Sequence, residues 1–217
     1  MKLFDRRSRA DAVLAGYASG PGATRHARDV ALARAQDARM VVLVEGISDL
    51  MALDAVVECQ ERDLAAEGVV VVPVGGAHAF EKHIKRIGDL GIEVRGLVDE
   101  AEEGILLRAM ATAGIVDAVT GSDPASRGVF VCHEDLEEEL IRAVTPHRVE
   151  AILEREGDLR SFRSLQRQPA WRDRDLIGQM RRFMGAGARR KLRYARLFAL
   201  ELDPEEIPRP LVDALKL

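Results

Sequence analysis

The sequence predicts an α/β fold: a mostly parallel sheet of about four strands flanked by helices, with N-terminal helices and a helical C-terminal extension. Three observations predict it. Short runs rich in Val, Ile and Leu recur at residues 40–44, 69–74, 92–98 and 129–132. Each is followed by an amphipathic stretch of helical period, and beyond Pro146 the strand signal disappears.

The elements follow in order. A helical pattern from about Ser8 to Arg39 is interrupted by the breaker Gly20-Pro21-Gly22. MVVLV (40–44) reads as a buried strand, and the segment from Ser48 to about Ala66 as a helix with Ser48 as its N-cap, stopped by Gly68. VVVVPV (69–74) is the second strand, and Gly75-Gly76 turns the chain into a helix over about Ala79–Leu90. IEVRGLV (92–98) is the third, with a helix over about Glu102–Ala113 and a turn-rich stretch through Gly121, Pro124 and Gly128. VFVC (129–132) is the fourth, followed by a helix over Glu134–Val144. Helices are expected at Arg148–Glu156, Leu176–Met184 and Ala188–Leu200. This divides the chain into an N-terminal helical segment (1–39), an α/β domain (40–145) and the extension (146–217).

Composition excludes several classes. The 217 residues are 47% hydrophobic with a net charge of only -4, which excludes dominant disorder. No apolar run approaches the ~20 residues of a membrane-spanning helix. MKLFDRRSRADAVL has no apolar core of a signal peptide. Cys59 and Cys132 make neither a disulfide framework nor a thiolate metal site, and His78, His83 and His133 have no zinc-like spacing with them. A reduced, cytoplasmic protein is expected.

The mild net charge conceals two opposed parts: -9 over residues 1–145 and +5 over residues 146–217. Between Arg160 and Arg196 there are 12 Lys or Arg against Asp173 and Asp175 alone. Such a division suits a polyanion held near carboxylates, and equally a solvated helix face.

The carboxyl ends of parallel strands form the functional edge of such sheets, and here three of the four run into carboxylates. Glu45-Gly46 follows the first strand, with Asp49 four residues on; Asp99-Glu100 follows the third, with Glu102 and Glu103 behind; Glu134-Asp135 and Glu137 follow the fourth. Carboxylates converging on one edge repel unless a cation lies between them, and a hard divalent ion with oxygen ligands, Mg²⁺ or Mn²⁺, fits that set. The dipole also favours acids in any first helical turn, so Glu134–Glu139 reads either as a ligand set or as a solvated helix start.

VVLVEGISDLMAL and VRGLVDEAEEG resemble the TOPRIM domain of topoisomerases, primases and several nucleases. VPVGGAHAFEKHIKRIGDLGIEV, VFVCHEDLEEEL and ARRKLRYARLFAL are similar to the overcoming-lysogenization-defect (OLD) nucleases. The resemblance spans about Met40–Leu217 and implies a TOPRIM-like, Rossmann-like sheet. It implies metal-ligand roles for Glu45, Asp49, Asp99, Glu137 and Asp135, and a catalytic role for Lys191 beside the scissile phosphate. The second Asp of the family's DxD motif falls at Ala101, so Glu100 or Glu102 would have to substitute. No GxxxxGK[ST] motif is present, so the ATPase domain that precedes TOPRIM in OLD proteins is not expected here.

The implied activity is Mg²⁺- or Mn²⁺-dependent phosphodiester hydrolysis with one or two ions, in which Glu45, Asp99 and Lys191 are catalytic. Lys191 is one of five lysines beside 27 arginines, and a compact ammonium suits a nonbridging phosphate oxygen. Arg189, Arg193 and Arg196 recur at i, i+4 and i+7, and with Arg190 are expected to follow a nucleic-acid backbone, DNA in the first instance, without reading bases. Phe162, Trp171, Phe183, Tyr194 and Phe198 are expected as core residues rather than stacking platforms. The alternative is a catalytically weakened TOPRIM module, favoured by Ala101, that binds nucleic acid or a separate ATPase subunit.

Overall fold

A computed structural model describes residues 22–116 and 123–216. The expected helix from Ser8, the start of the breaker at Gly20-Pro21, and Gly121 lie outside these residues. Four strands, β1 (Met40–Val44), β2 (Val69–Pro73), β3 (Glu93–Asp99) and β4 (Val129–Cys132), form one parallel sheet in the order β2-β1-β3-β4. Parallel pairing follows from the helical crossovers between successive strands.

All five residues of β1 are buried, since it lies between two strands with both faces covered. Side chains alternate along it. Met40, Val42 and Val44 enter one core, Val41 and Leu43 the other. Val44 is in register with Pro73 of β2 and Leu97 of β3. The chain passes from β1 to β2 on one side and then to β3 on the other, so the strand order reverses between β1 and β3. That switch point is where a parallel α/β sheet opens a crevice, and Glu45 and Asp99 stand at it.

Helix α1 (Ala23–Arg34) packs against β2, and α2 (Ile47–Cys59) follows β1. The predicted helix to Ala66 is instead broken. Glu61 takes a left-handed conformation with φ 53°, and Asp63 caps the short α3 (Leu64–Glu67), accepting the Ala65 and Ala66 amides at 3.0 and 3.1 Å. An Asp competing for backbone amides ends one helix and starts another. Ser48 is not the N-cap: α2 begins after Gly46, and the Asp49 carboxylate accepts the Gly46 amide at 2.8 Å.

Helices α4 (Phe80–Gly88) and α5 (Glu103–Thr112) cover one sheet face through Phe80, Ile84, Ile87, Leu106 and Met110. The other face is covered by α2 and α6 (Leu136–Val144). Beyond them come α7 (Pro146–Arg155), α8 (Leu159–Gln166), α9 (Leu176–Met184), α10 (Ala188–Glu201) and α11 (Arg209–Ala214). The extension therefore shares a core with the sheet: α10 lies along α2 and buries Tyr194, Ala195, Leu197 and Phe198 in that core.

That packing corrects the expected arginine face. Arg196 is 3% exposed and ion-pairs with Glu58 of α2. Arg193 pairs with Glu156 and lies 3.9 Å from Asp158. Arg190 stacks on Phe183 at 4.1 Å and donates to the Phe183 and Ala186 carbonyls, closing the end of α9. Arg189 alone of the four is exposed. Helical spacing gives a common face, but its members diverge: Arg196 turns into the α2 contact, Arg193 is held by Glu156 and Asp158, and Arg189 stays at the surface.

Removing the guanidinium from a buried pair leaves an uncompensated carboxylate. Arg196→Ala is expected to cost about 3 kcal/mol in urea unfolding. Unchanged stability with weakened nucleic-acid binding would return Arg196 to the surface role.

Candidate metal centre

Backbone contacts place the first carboxylates. The Glu45 carbonyl accepts the Gly75 and Gly76 amides at 2.9 and 3.1 Å. Those glycines have φ of 90° and 112°, the second of which a side chain would strain badly, so the turn after β2 ties down the exit from β1. The bond from the Gly46 amide bends Asp49 back toward the strand ends. Across the switch point, Asp99 ends β3 and its Oδ1 accepts the Leu136 amide at 3.0 Å, at the start of α6.

A 3-10 turn over Glu100–Glu102 follows β3 and carries Glu102 back toward the strand end. Glu45, Asp99 and Glu102 each bring a carboxylate oxygen within 4.8 Å of the others. One Glu102 oxygen is buried without a hydrogen-bond partner, and so is one oxygen of Glu137. Ala101 occupies the position of the absent second Asp, and Glu102, one residue on, is the acid the turn brings in. Glu100 points elsewhere: it is exposed, accepts the Glu134 amide at 3.1 Å, and groups with His133 and Glu134.

The charges are crowded. Burial pushes the Asp49 carboxyl up to about 7, with Glu137 and Glu45 adding repulsion against the Gly46 amide and Lys191. Asp99 is likewise pushed up to about 7, by burial and then by Asp49, Asp135 and Glu137, against the Leu136 amide. Glu102 is raised by burial and by Glu45. Glu137 is raised by burial although Lys191 opposes it.

Lys191 reaches this cluster from α10, with its Nζ 3.2 Å from a Glu137 oxygen. Burial alone would lower its pKa, but Glu137, Asp49 and Asp99 together hold it above the ordinary lysine value. It is a fixed positive charge at neutral pH.

Asp135 is used differently. One oxygen caps α6 by accepting the Glu138 amide at 2.8 Å, and the other pairs with Arg181, which also contacts Glu138 at 3.3 Å. Thus Glu45, Asp49, Asp99, Glu102, Glu137 and Lys191 gather at one edge, while Asp135 sits beside them as a cap.

Next to Glu137 and Lys191 opens a groove of about 590 Å³, also lined by Trp171, Arg174, Arg181 and Arg182. The arginine density of residues 160–196 is visible in the sequence, but not which arginines are spent inside. Phe162, Phe183, Tyr194 and Phe198 are buried as expected; Trp171 is only partly so.

Residues 38–100 match the family model of the overcoming lysogenization defect protein-like TOPRIM domain. Those residues form an OLD-like TOPRIM segment. The matched segment contains Glu45, Asp49 and Asp99 and ends before Glu102, Glu137 and Lys191. The structure is similar to the C-terminal region of the Xanthomonas campestris pv. campestris OLD protein, at 23% identity and a TM-score of 0.60, over 82% of this chain and 93% of that one. It is also similar to the C-terminal region of the Burkholderia pseudomallei OLD protein, at 23% identity and a TM-score of 0.59, over 82% and 95%. These likenesses establish the shared TOPRIM fold. No curated protein sequence matches the chain. Among the described residues no helix is long and apolar enough to cross a membrane.

The raised carboxyls make stability depend on pH in the metal-free protein. Asp49 ordinarily titrates at 3.8 and here at about 7, so its contribution is fully present below pH 3.8 and lost as pH rises through 7. Asp49→Asn keeps an acceptor for the Gly46 amide and removes the charge. In EDTA it is expected to match wild type at pH 4 and to exceed it by about 1–3 kcal/mol at pH 8, read by urea unfolding.

Proposed function

We propose that this chain hydrolyses phosphodiester bonds of nucleic acid, DNA in the first instance, as a Mg²⁺- or Mn²⁺-dependent nuclease of the OLD-like TOPRIM type. The observation that carries this reading is the convergence of Glu45, Asp99 and Glu102 at the switch point. Their donor set is all oxygen, as hard divalent cations require. Two buried, unpartnered carboxylate oxygens and two carboxyls driven up to about 7 are what an acidic cluster looks like when its counter-charge is a bound ion.

In this reading Glu45, Asp99 and Glu102 hold one ion, and Asp49 and Glu137 complete a second position. Divalent ions bound there supply polarisation of a phosphate oxygen and a more acidic water. Asp49 and Asp99 must lose their protons for the site to load, so activity should rise with pH through about 7. Lys191 stays protonated in that range and serves as a charge rather than as a base. Exchanging its contact with Glu137 for a nonbridging phosphate oxygen places positive charge where negative charge accumulates in the transition state. Arg189 and the groove arginines suit backbone contacts without base specificity. The family resemblance also makes an ATPase a candidate partner.

Glu102 favours hydrolysis over the weakened-module reading, because the acid absent at Ala101 has a replacement in the same cluster. The test is incubation with supercoiled and linear DNA plus Mg²⁺ or Mn²⁺ over a range of pH. Wild type is expected to cut; Glu45→Ala and Lys191→Ala should each lower the rate by about 100-fold or more, the scale of losing an electrostatic contact made in the transition state. No cleavage with either ion at any pH would reject the reading.

A further inference from the structure

The groove beside Glu137 and Lys191 has a composition that the hydrolytic site does not require. It holds the chain's single tryptophan and two exposed arginines, Arg174 and Arg182, neither of which forms a salt bridge among the described residues. Arg181, by contrast, is committed to Asp135 and Glu138. The Arg182 guanidinium lies over the Trp171 ring at 5.7 Å from its centroid.

The loop that presents Trp171 and Arg174 is built rather than loose. Gln179 of α9 is 6% exposed, and its amide donates to the Trp171 and Arg174 carbonyls at 2.8 and 2.9 Å while accepting from Gln166 at 2.7 Å. The Gln168 carbonyl accepts the Trp171 and Arg172 amides, both at 2.9 Å. A buried amide with three partners fixes the backbone that carries Trp171 and Arg174 at the groove wall.

We propose that this groove is the track for a single strand of nucleic acid, in which a base stacks at Trp171 and Arg174 and Arg182 hold the neighbouring phosphates. The proposal rests on the hydrolytic reading for its direction: the strand runs from Trp171 toward Lys191. A paired base keeps its faces inside the helical stack, so an indole at the groove wall takes an unpaired one, while exposed guanidinium groups supply sequence-independent attraction. The surface thus selects a single-stranded or locally opened substrate.

The single tryptophan provides the readout. In EDTA, where metal-dependent hydrolysis is off, the full chain is titrated with a twelve-nucleotide dT strand and with a duplex of equal length. Tryptophan emission should be quenched saturably by the strand, and the duplex should bind at least about fivefold more weakly. In anisotropy with a labelled strand, Trp171→Ala should lose about 5- to 100-fold in affinity, the range of one base–aromatic stack, and Trp171→Phe should restore most of it. Arg174→Ala, on an exposed side chain, should lower the slope of log affinity against log salt by about 0.7. Unchanged emission at saturating strand, Trp171→Ala binding as tightly as wild type, or duplex bound as tightly as the strand would each overturn the proposal. Quenching in a protein that cuts nothing keeps the groove and rejects the hydrolase; cleavage without quenching does the reverse.

Discussion

Negative charge gathered at the carboxyl ends of β1 and β3 is the constraint around which the molecule is arranged. A parallel sheet brings neighbouring strand ends to one edge, so Glu45 and Asp99 are close because Val44 and Leu97 are in register. Asp49, Glu102 and Glu137 add to the crowd, and burial first, with this repulsion behind it, raises Asp49 and Asp99 to about 7. The fold offsets part of this rise with the Gly46 and Leu136 amides and with Lys191. Lys191 reaches Glu137 because α10 packs both along α2 and against α6, so the helical extension contributes to the site and not merely to the core.

The basic residues divide by what they face. Arg148, Arg155, Arg163, Arg181, Arg193 and Arg196 pair with carboxylates and hold helices of the extension to each other or to the sheet domain. Arg174, Arg182 and Arg189 are exposed. Part of the positive excess of the C-terminal part is therefore spent holding the fold together, and among the exposed remainder Arg174 and Arg182 line the groove beside Lys191. Acidic residues divide in the same way, as Asp135 and Glu138 are neutralised by Arg181 while Glu45, Asp99 and Glu102 are not.

The sheet was legible because each strand carries a short run rich in Val or Leu followed by a helical pattern. So were Glu45, Asp49 and Asp99, which sit where a parallel sheet opens. Other features depended on contacts distant in sequence. The break after Cys59 hinges on Asp63 capturing two amides. Spacing places Arg193 and Arg196 on one helix face but cannot say that Glu156 and Glu58 would take them up. Ala101 and Glu102 make the same point at the site, because only the 3-10 turn decides which acid follows Asp99 back to the strand edge.

The central claim is that these carboxylates form a divalent-cation site, and calorimetric titration with Mn²⁺ near pH 7 tests it most directly. Saturable binding is expected, with release of protons from Asp49 and Asp99 visible as a dependence of the heat on buffer ionisation enthalpy. Binding should weaken by 10-fold or more in Glu45→Ala and in Glu102→Ala, about the loss expected for removing an oxygen ligand or its direct support. No saturable binding by wild type, or variants that bind Mn²⁺ as wild type does, would contradict the account.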